Sequence, residues 1–290
     1  MGYSARYHAT SLVAVFLALA IGILVGAEFG GDALTSTRRN LEQSLTGNLQ
    51  DERARVDELN GQLGRSNEFA SRVYPALVHD RLGGRRIGVL ALGDLPGGTA
   101  TAIEDTLGPT GAHLVGIGVV REPADLHGLA GDLSKTRFAS LRRNPEALIA
   151  FGAGVGRQLV RGGTLLERVR GHLFSRASGN FGALDGVIVV RQVPEELGPV
   201  QRVNASQFEA ALIGGITGTH APAVGVETST TEPSSVSFFN GNDLASVDDV
   251  ETAAGQVATV FALLGAEGSF GIKGSADRLL PDLLPPAGSR

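Results

Sequence analysis

The stretch ATSLVAVFLALAIGILVGA, from Ala9 to Ala27, is the part of the sequence on which the organisation of the whole chain depends. It contains 19 residues without a charge and lies between Arg6 and Glu28. A helix rises about 1.5 Å per residue, so this stretch is long enough to cross the roughly 30 Å hydrocarbon core of a bilayer. A helix also satisfies its own backbone hydrogen bonds, which an irregular segment in lipid does not.

We therefore predict a transmembrane helix over residues 9–29, preceded by a short cytoplasmic tail over residues 1–8. With this orientation the rest of the chain lies outside the cytoplasm, anchored at the cell membrane by a single pass. A cleaved signal peptide is the alternative, because small residues at 25–27 offer a cleavage site. The apolar core of such a peptide is usually only about 7–15 residues long, which favours the retained anchor.

One face of the predicted anchor carries only small residues. Ala14, Ala18, Gly22 and Gly26 follow each other at a spacing of four. Such a face lets a second transmembrane helix approach closely, which favours helix association. The alternative is that small residues are simply frequent in transmembrane helices.

A charged helical segment follows, predicted over residues 35–75 between a break at Gly30, Gly31 and Asp32 and an end at Pro75. Apolar residues occupy seven of its ten a and d positions, a pattern typical of a coiled coil, and charged residues fill most of the flanks. We expect this segment to form a homodimer, whereas a single helix packed on its own domain is the alternative. The predicted coiled-coil seam is Leu45, Leu49, Val56, Leu59, Leu63, Ala70 and Val73.

The remainder, residues 77–275, alternates short apolar strands with helices and predicts a parallel, Rossmann-like α/β domain. The proline-containing end, residues 276–290, is predicted to be a flexible tail. Strands are expected at 85–92, 112–120, 186–192, 222–228 and 269–272, with helices at 99–107, 165–176 and 206–216. Residues 146–151 fit either a strand or the end of a helix.

A long helix is predicted over Val247–Leu264, with Ser246 or Asp248 able to cap its start. Acidic residues cluster at this point, namely Asp243, Asp248, Asp249 and Glu251. A hard-cation site is one interpretation of the cluster. Acidic residues are also favoured at a helix N-terminus by its dipole, and that interpretation is preferred.

Two glycine-rich segments resemble phosphate-binding loops only in part. GDLPGG, residues 93–98, lies between a strand and a helix but matches neither nucleotide-binding pattern, so a tight turn is favoured. GAGVG, residues 152–156, places Arg157 where a dinucleotide fingerprint needs its third glycine. Nucleotide or sugar binding is therefore a weaker hypothesis.

The composition excludes several kinds of chemistry. The chain has no cysteine, and Met1 is its sole methionine, so thiolate sites are absent and thioether ligands are missing from the body. No two histidines of the body have metal-ligand spacing, and no catalytic motif occurs, so we predict no enzyme, no catalytic residues and no bound cofactor. A net charge of −5 also argues against nucleic-acid binding. These histidines are His79, His113, His127, His172 and His220.

Both ends of the sequence resemble one known family. Residues 7–22 (YHATSLVAVFLALAIG), residues 246–257 (SVDDVETAAGQV) and Phe270-Gly271 together resemble the actinobacterial copper transporter family typified by MctB, also called SteB. The resemblance implies a protein of the cell envelope that keeps intracellular copper low. It also implies a partnership with a neighbouring membrane protein, SteA, in cell separation and in the control of peptidoglycan hydrolysis.

Two hypotheses for the function follow. The first is a copper efflux or homeostasis protein of the envelope, with copper contacts expected from the resemblance alone and its metal ligands unassigned. The second is an anchored coiled-coil scaffold that presents its α/β body to a SteA-like membrane protein without binding copper. The small-residue face and the heptad seam favour the second hypothesis on physical grounds.

Overall fold

The structure, a computed structural model, describes residues 5–194 and 197–283. Within these ranges the side chains of residues 5–7, 29–40, 42, 43 and 200 are not described. The predicted tails therefore lie partly outside the described residues, at 1–4 and at 284–290. Contacts divide the chain into two compact units, Met1–Ser66 and Asn67–Arg290, so the body begins earlier than the predicted residue 77.

The first helix, α1, runs from Ala5 to Val78 over 74 residues. The predicted break at 30–32 is wrong, because the backbone stays helical there; two glycines cost roughly 1 kcal/mol each in a helix without forbidding it. The predicted end at Pro75 is also wrong, since the proline lies inside the helix. Tyr74 and Val78 are buried on either side of it, and the Tyr74 hydroxyl donates a hydrogen bond to the Thr106 carbonyl oxygen at 2.5 Å. This packing holds the last turns despite the backbone donor that proline lacks.

The body contains a seven-stranded sheet with strand order β3-β2-β1-β4-β5-β6-β7. All neighbouring pairs are parallel except β2 with β3, which is antiparallel. The predicted α/β class with a mostly parallel sheet is thus confirmed. The strands are β1 (Arg86–Leu92), β2 (His113–Val120), β3 (Phe174–Gly179), β4 (Gly186–Arg191), β5 (Ala223–Val226), β6 (Ala245–Val247) and β7 (Ser269–Phe270).

Seven further α-helices and one short 3₁₀ turn, Gly108–Thr110, connect the strands in the described part of the chain. The ambiguous residues 146–151 belong to a helix, because Asn144 caps its start and Pro145 occupies its first position. The helices are α2 (Gly97–Leu107), α3 (Leu126–Asp132), α4 (Pro145–Arg161), α5 (Thr164–Leu173), α6 (Pro199–Thr217), α7 (Val236–Asn240) and α8 (Ala253–Leu263).

The central strands are buried on both faces, and each face has its own core. In β1, Leu90 and Leu92 point into one core while Val89 and Ala91 point into the other, as the two-residue period of a strand requires. The first core is covered mainly by α3 to α6, and the second by α2, α8 and the end of α1. Near-continuous apolar runs such as GVIVVR at residues 186–191 are therefore the signature of a sheet covered on both sides.

The GAGVG segment lies inside α4 and packs helix against helix. A Cβ atom on Gly156 would lie 2.0 Å from the Leu212 carbonyl oxygen, and one on Gly152 would lie 2.9 Å from that of Phe208. On the opposite helix, Gly215 would meet the Ala153 carbonyl oxygen at 2.3 Å. These glycines let α4 and α6 approach closely, so the interpretation of this segment as a dinucleotide loop is wrong.

The predicted helix over Val247–Leu264 is also wrong in its first third. Residues 245–247 form β6, and the helix begins only at Ala253, where the Thr252 hydroxyl accepts from the Gly255 amide at 3.0 Å. Thr252, and not Ser246 or Asp248, is the cap. The sequence did not reveal this short strand, because its last residue, Val247, is apolar and fits the apolar pattern of the helix that follows.

Two further differences concern the ends of elements. Helix α5 ends at Leu173, and the residues predicted to continue it form β3, an edge strand in which only Phe174 is buried. At the other edge, Asp277 and Arg278 form backbone hydrogen bonds with Ser269, and Leu280 packs on the second core. Residues 276–283 thus contact the body, whereas the predicted tail started at 276.

Candidate functional site

The predicted transmembrane segment is one exposed apolar helix. Residues His8–Glu28 have a mean hydropathy of 2.5, and none of this stretch is buried by other parts of the chain. All four residues of the small-residue face are exposed, and Cβ atoms on Gly22 and Gly26 would meet nothing within 4 Å. The face is therefore open along its described length.

The predicted seam divides into two parts. Its first five members are 51–59 % exposed, so an apolar stripe faces away from the chain's own contacts: Leu45, Leu49, Val56, Leu59 and Leu63. Its last two members, Ala70 and Val73, are half-buried and belong to the body unit. The alternative of a helix packed on its own domain thus describes the last turns of α1, while the earlier turns leave the stripe uncovered.

The carboxyl edge of the sheet carries a cluster of charged side chains. The chain winds outward from β1 to β2 and from β4 to β5, so the ends of β1 and β4 form the switch point at which ligands bind in open α/β sheets. Arg191 ends β4 there, and its Nε lies 3.0 Å from Oε2 of Glu209 on α6. Its guanidinium also lies 4.1 Å from the centre of the Phe238 ring.

A second glutamate, Glu122, follows β2 and completes this cluster. A Cβ atom on Gly93, which directly follows β1 with φ of +89°, would lie 3.1 Å from Glu122 Oε2. Both carboxyl oxygens of Glu122 and Oε1 of Glu209 are buried and have no hydrogen-bond partner in the described part of the chain. A single proton held between the two carboxyl groups would satisfy two of these three oxygens.

The electrostatics of the pair agree with a retained proton. Burial is the main cause that raises the pKa of Glu122 to about 9; the adjoining Glu209 acts in the same direction, and Arg191 opposes both. Glu122 is therefore neutral at pH 7, while the guanidinium of Arg191 neutralises Glu209. A small cavity of about 160 Å³ lies beside this pair, lined by Pro123 and by α6 residues including Asn204 and Phe208.

A further buried ion pair lies at the ends of β5 and β7. Lys273 Nζ lies 2.6 Å from Oε1 of Glu227, which also accepts from the Ser234 hydroxyl at 2.7 Å. Oε2 of Glu227 accepts from the Ser235 amide at 2.6 Å. This network ties together the segments that follow β5 and β7.

Three members of the predicted acidic cluster, Asp248, Asp249 and Glu251, lie in the loop before α8, whereas Asp243 lies before β6. Asp248 accepts backbone hydrogen bonds from Ile272 and Lys273 at 2.8 and 3.1 Å. Asp249 accepts from the Thr252 hydroxyl at 2.8 Å, and burial raises its pKa. The described residues contain no group of three or more histidine, cysteine or acidic side chains that could hold a metal ion.

Of the other predicted features, the GDLPGG segment begins at this edge with Gly93, whereas His172 forms a separate contact. His172 Nδ1 lies 2.7 Å from Asp132 Oδ2, in the region of α3 and α5. The GDLPGG segment is the β1–α2 connection, and Gly97 and Gly98 begin α2 in open space. Sequence reasoning missed Glu122, Arg191 and Glu227, whose signal is a charged residue at or just after the end of a buried parallel strand.

These observations define a class of protein, an α/β body with a mostly parallel sheet joined to one apolar N-terminal helix long enough to span a membrane. The family model described as "Copper transport outer membrane protein, MctB" matches residues 3–128 and 150–281. The chain belongs to this family.

Individual relatives agree with the family match. The chain is 23 % identical over 290 residues to the proteins named "Copper transporter MctB" of Mycobacterium tuberculosis and Mycobacterium bovis, covering 90 % of this chain and 91 % of theirs. A protein of the same name from Mycobacterium leprae is 29 % identical over 113 residues, which is 39 % of this chain and 36 % of that one. The resemblance seen at the two ends of the sequence is thereby confirmed.

Proposed function

We propose that this protein is a membrane-anchored protein of the cell envelope that acts in copper homeostasis, with its α/β body outside the cytoplasm. The observation that carries the proposal is the exposed apolar helix His8–Glu28 on a chain that matches the MctB family over nearly its whole length. The family's relatives are named copper transporters, which supplies the link to copper.

We further propose that the protein acts as an anchored dimer that presents its body to another membrane protein, and not as the copper conduit itself. The 19 residues of the span contain no charged group that would serve an ion pathway. The exposed stripe from Leu45 to Leu63 supports pairing as a coiled coil. We also propose that the body is Rossmann-like and that it has no catalytic role.

The first test is copper tolerance in a strain that lacks the gene. The full chain is expected to restore growth in copper and to lower cell-associated copper. A variant with Leu59→Glu in the seam should fail to do so at equal protein level, while Gln50→Glu, at an outward heptad position, should succeed. Restoration by both variants would contradict the anchored-dimer mechanism, and failure of the unmodified chain would contradict the copper role.

The second test concerns location and direct metal contact. Protease added to spheroplasts should remove the body and leave a membrane-embedded fragment; protection of the body would contradict the orientation. Copper titration of the purified full chain should show no site with a dissociation constant tighter than about 1 μM. A tight stoichiometric site would contradict action through a partner.

A scaffold for cell separation is the second candidate, in which a SteA-like membrane protein is the partner. The open small-residue face from Ala14 to Gly26 favours it, since this face can accept another transmembrane helix. Replacing Gly22 by Ile should reduce co-purification of such a partner and lengthen chains of unseparated cells. Normal separation in the deletion strain, together with copper sensitivity, would reject this candidate in favour of the first.

A further inference from the structure

We propose that a cavity on the body, here called the arginine pocket, binds a phosphate-bearing anion. Its volume is about 430 Å³, and it lies between the turn before α4, the outer side of α4 and the start of α5. This site goes beyond the proposed function and does not depend on it. The residues that carry the argument are Arg137, Arg157, Arg168, Gln158 and Thr164.

The charge of the arginine pocket is uncompensated. Three arginines, all of them exposed, line it, and no carboxylate is among the described residues that form its wall. Arg137 lies over the Phe138 ring at 4.7 Å, which orients it without neutralising it. Neither Arg157 nor Arg168 forms an ion pair or a side-chain hydrogen bond with any described residue. Like charges around one cavity repel each other, so a bound anion would stabilise the arrangement.

The sequence around the pocket is also rich in positively charged residues. Residues 133–170 contain eight lysines and arginines but only two glutamates, in a chain whose net charge is −5. The basic residues are thus concentrated in the segment that builds the pocket. A cleft lined by one sign of charge raises the local concentration of ions of the opposite sign.

The neutral groups of the pocket add hydrogen-bond donors. Gln158 Oε1 accepts from the Leu165 and Leu166 amides at 2.8 and 3.1 Å, which fixes the side chain at the start of α5. Its amide nitrogen has no partner among the described residues and is free to donate. The Thr164 hydroxyl, likewise unpaired in the described part of the chain, stands at the first position of α5.

This set of donors selects phosphate over a carboxylate. An arginine offers a planar fork of N–H groups that matches two oxygens of one phosphate, and three such forks exceed what the two oxygens of a carboxylate accept. A phosphate monoester or a diphosphate carries more charge and more acceptor oxygens. The volume lies in the lower part of the roughly 300–1,000 Å³ range of small-ligand sites, which fits one phosphorylated group.

Inorganic pyrophosphate is the probe for a direct test. The full chain, held in nanodiscs of phosphatidylcholine, is titrated by calorimetry at constant ionic strength. The unmodified protein should bind, and Arg157→Gln should weaken binding by about tenfold or more, because a charge-assisted bidentate contact is lost. Arg157→Lys, which keeps the charge but loses the fork, should also weaken it measurably.

The matched control is Arg161→Gln, on the same helix but outside the pocket wall. Its affinity should stay within about twofold of the unmodified protein, as expected for a distant surface charge. An equal loss in Arg161→Gln and Arg157→Gln would show diffuse attraction and overturn the proposal. So would the absence of binding at millimolar pyrophosphate by a protein whose circular dichroism shows that it is folded.

The source of the phosphate is decided by a second series of nanodiscs that contain phosphatidylglycerol. If the natural ligand is a phospholipid headgroup, these lipids occupy the arginine pocket and pyrophosphate binding disappears. If the ligand is a soluble phosphorylated molecule, pyrophosphate binds equally in both lipids. The copper tolerance of strains that carry Arg157→Gln tests the proposed function separately. If either proposal fails, the other can therefore still be tested.

Discussion

The ammonium nitrogen of Lys273 lies 2.6 Å from Oε1 of Glu227, although 46 residues separate them in the sequence. The Glu227 side chain is 1 % exposed and that of Lys273 is 15 % exposed. Lys273 also donates to the Thr231 carbonyl oxygen at 2.8 Å. One buried pair thus joins the loop after β5 to the chain that follows β7.

Removing Lys273 should destabilise the body strongly. The variant Lys273→Gln leaves a buried carboxylate without its partner, and such a loss typically costs about 3–5 kcal/mol. Urea unfolding of the full chain in detergent, followed by circular dichroism, measures the change in the free energy of unfolding.

An exposed ion pair provides the control for that measurement. Arg176 and Asp94 lie 2.7 Å apart, but their side chains are 66 % and 62 % exposed. The variant Arg176→Gln should change the free energy of unfolding by less than about 1 kcal/mol. Equal effects of the two substitutions would show that burial does not set the strength of the Lys273 pair.

The close contact between α4 and α6 predicts opposite effects for two glycines. Gly156→Val would place carbon atoms against the Leu212 carbonyl oxygen, where even a Cβ atom has only 2.0 Å, and should cost about 3 kcal/mol or more. Gly214→Ala lies in the interior of α6 with nothing within 4 Å of its Cβ position. It should stabilise the helix by up to about 1 kcal/mol. Thermal unfolding of both variants tests this, and tolerance of valine at 156 would contradict the described packing.

The same helices show what a single sequence reveals and what it does not. The apolar runs of β1, β2 and β4 predicted their strands, because strands buried on both faces leave a continuous signal. Glycine spacing in α4 was ambiguous, since a loop that approaches phosphate and a helix that approaches another helix both require the absence of a Cβ atom. The close contacts between α4 and α6 decide between them.

Short and exposed elements escaped prediction for a related reason. The edge strand β3 buries only Phe174, so its sequence carries no alternation of apolar residues. The carboxyl-edge cluster was missed because Glu122 and Glu209 are 87 residues apart and meet only through the order of the strands. The family resemblance was visible because it depends on contiguous residues at the two ends of the sequence.

The stability of the body should fall as the pH rises, because of Glu122. Its pKa is about 9 in the folded chain against an ordinary value of 4.5, so between these values the folded state holds a proton that the unfolded state has released. Its stabilising contribution is complete below pH 4.5 and is lost as the pH approaches 9. The slope for one such group is at most about 1.4 kcal/mol per pH unit.

The variant Glu122→Gln removes this titration and should flatten the dependence of the urea midpoint on pH. Part of the slope should remain, because burial also raises the pKa of Asp249, and Asp249→Asn should remove that part. An unchanged slope in Glu122→Gln would mean that Glu122 is ionised in the folded protein.

The exposed stripe on α1 predicts that the full chain self-associates through Leu59 and its neighbours. Leu59 is 54 % exposed in the single chain, and burying a leucine contributes about 1.5–3 kcal/mol. In a dimer each substitution occurs twice, so Leu59→Glu should weaken dimerisation by about a hundredfold or more. Sedimentation equilibrium in density-matched detergent measures the association constant directly.

Gln50→Glu introduces the same charge on the same helix, one residue after the seam position Leu49 and pointing away from it. Its association constant should therefore stay close to that of the unmodified chain. If the two glutamates weaken association equally, general charge repulsion explains the result and the seam has no special role. If the unmodified chain is monomeric at tens of micromolar, the predicted coiled-coil dimer is wrong.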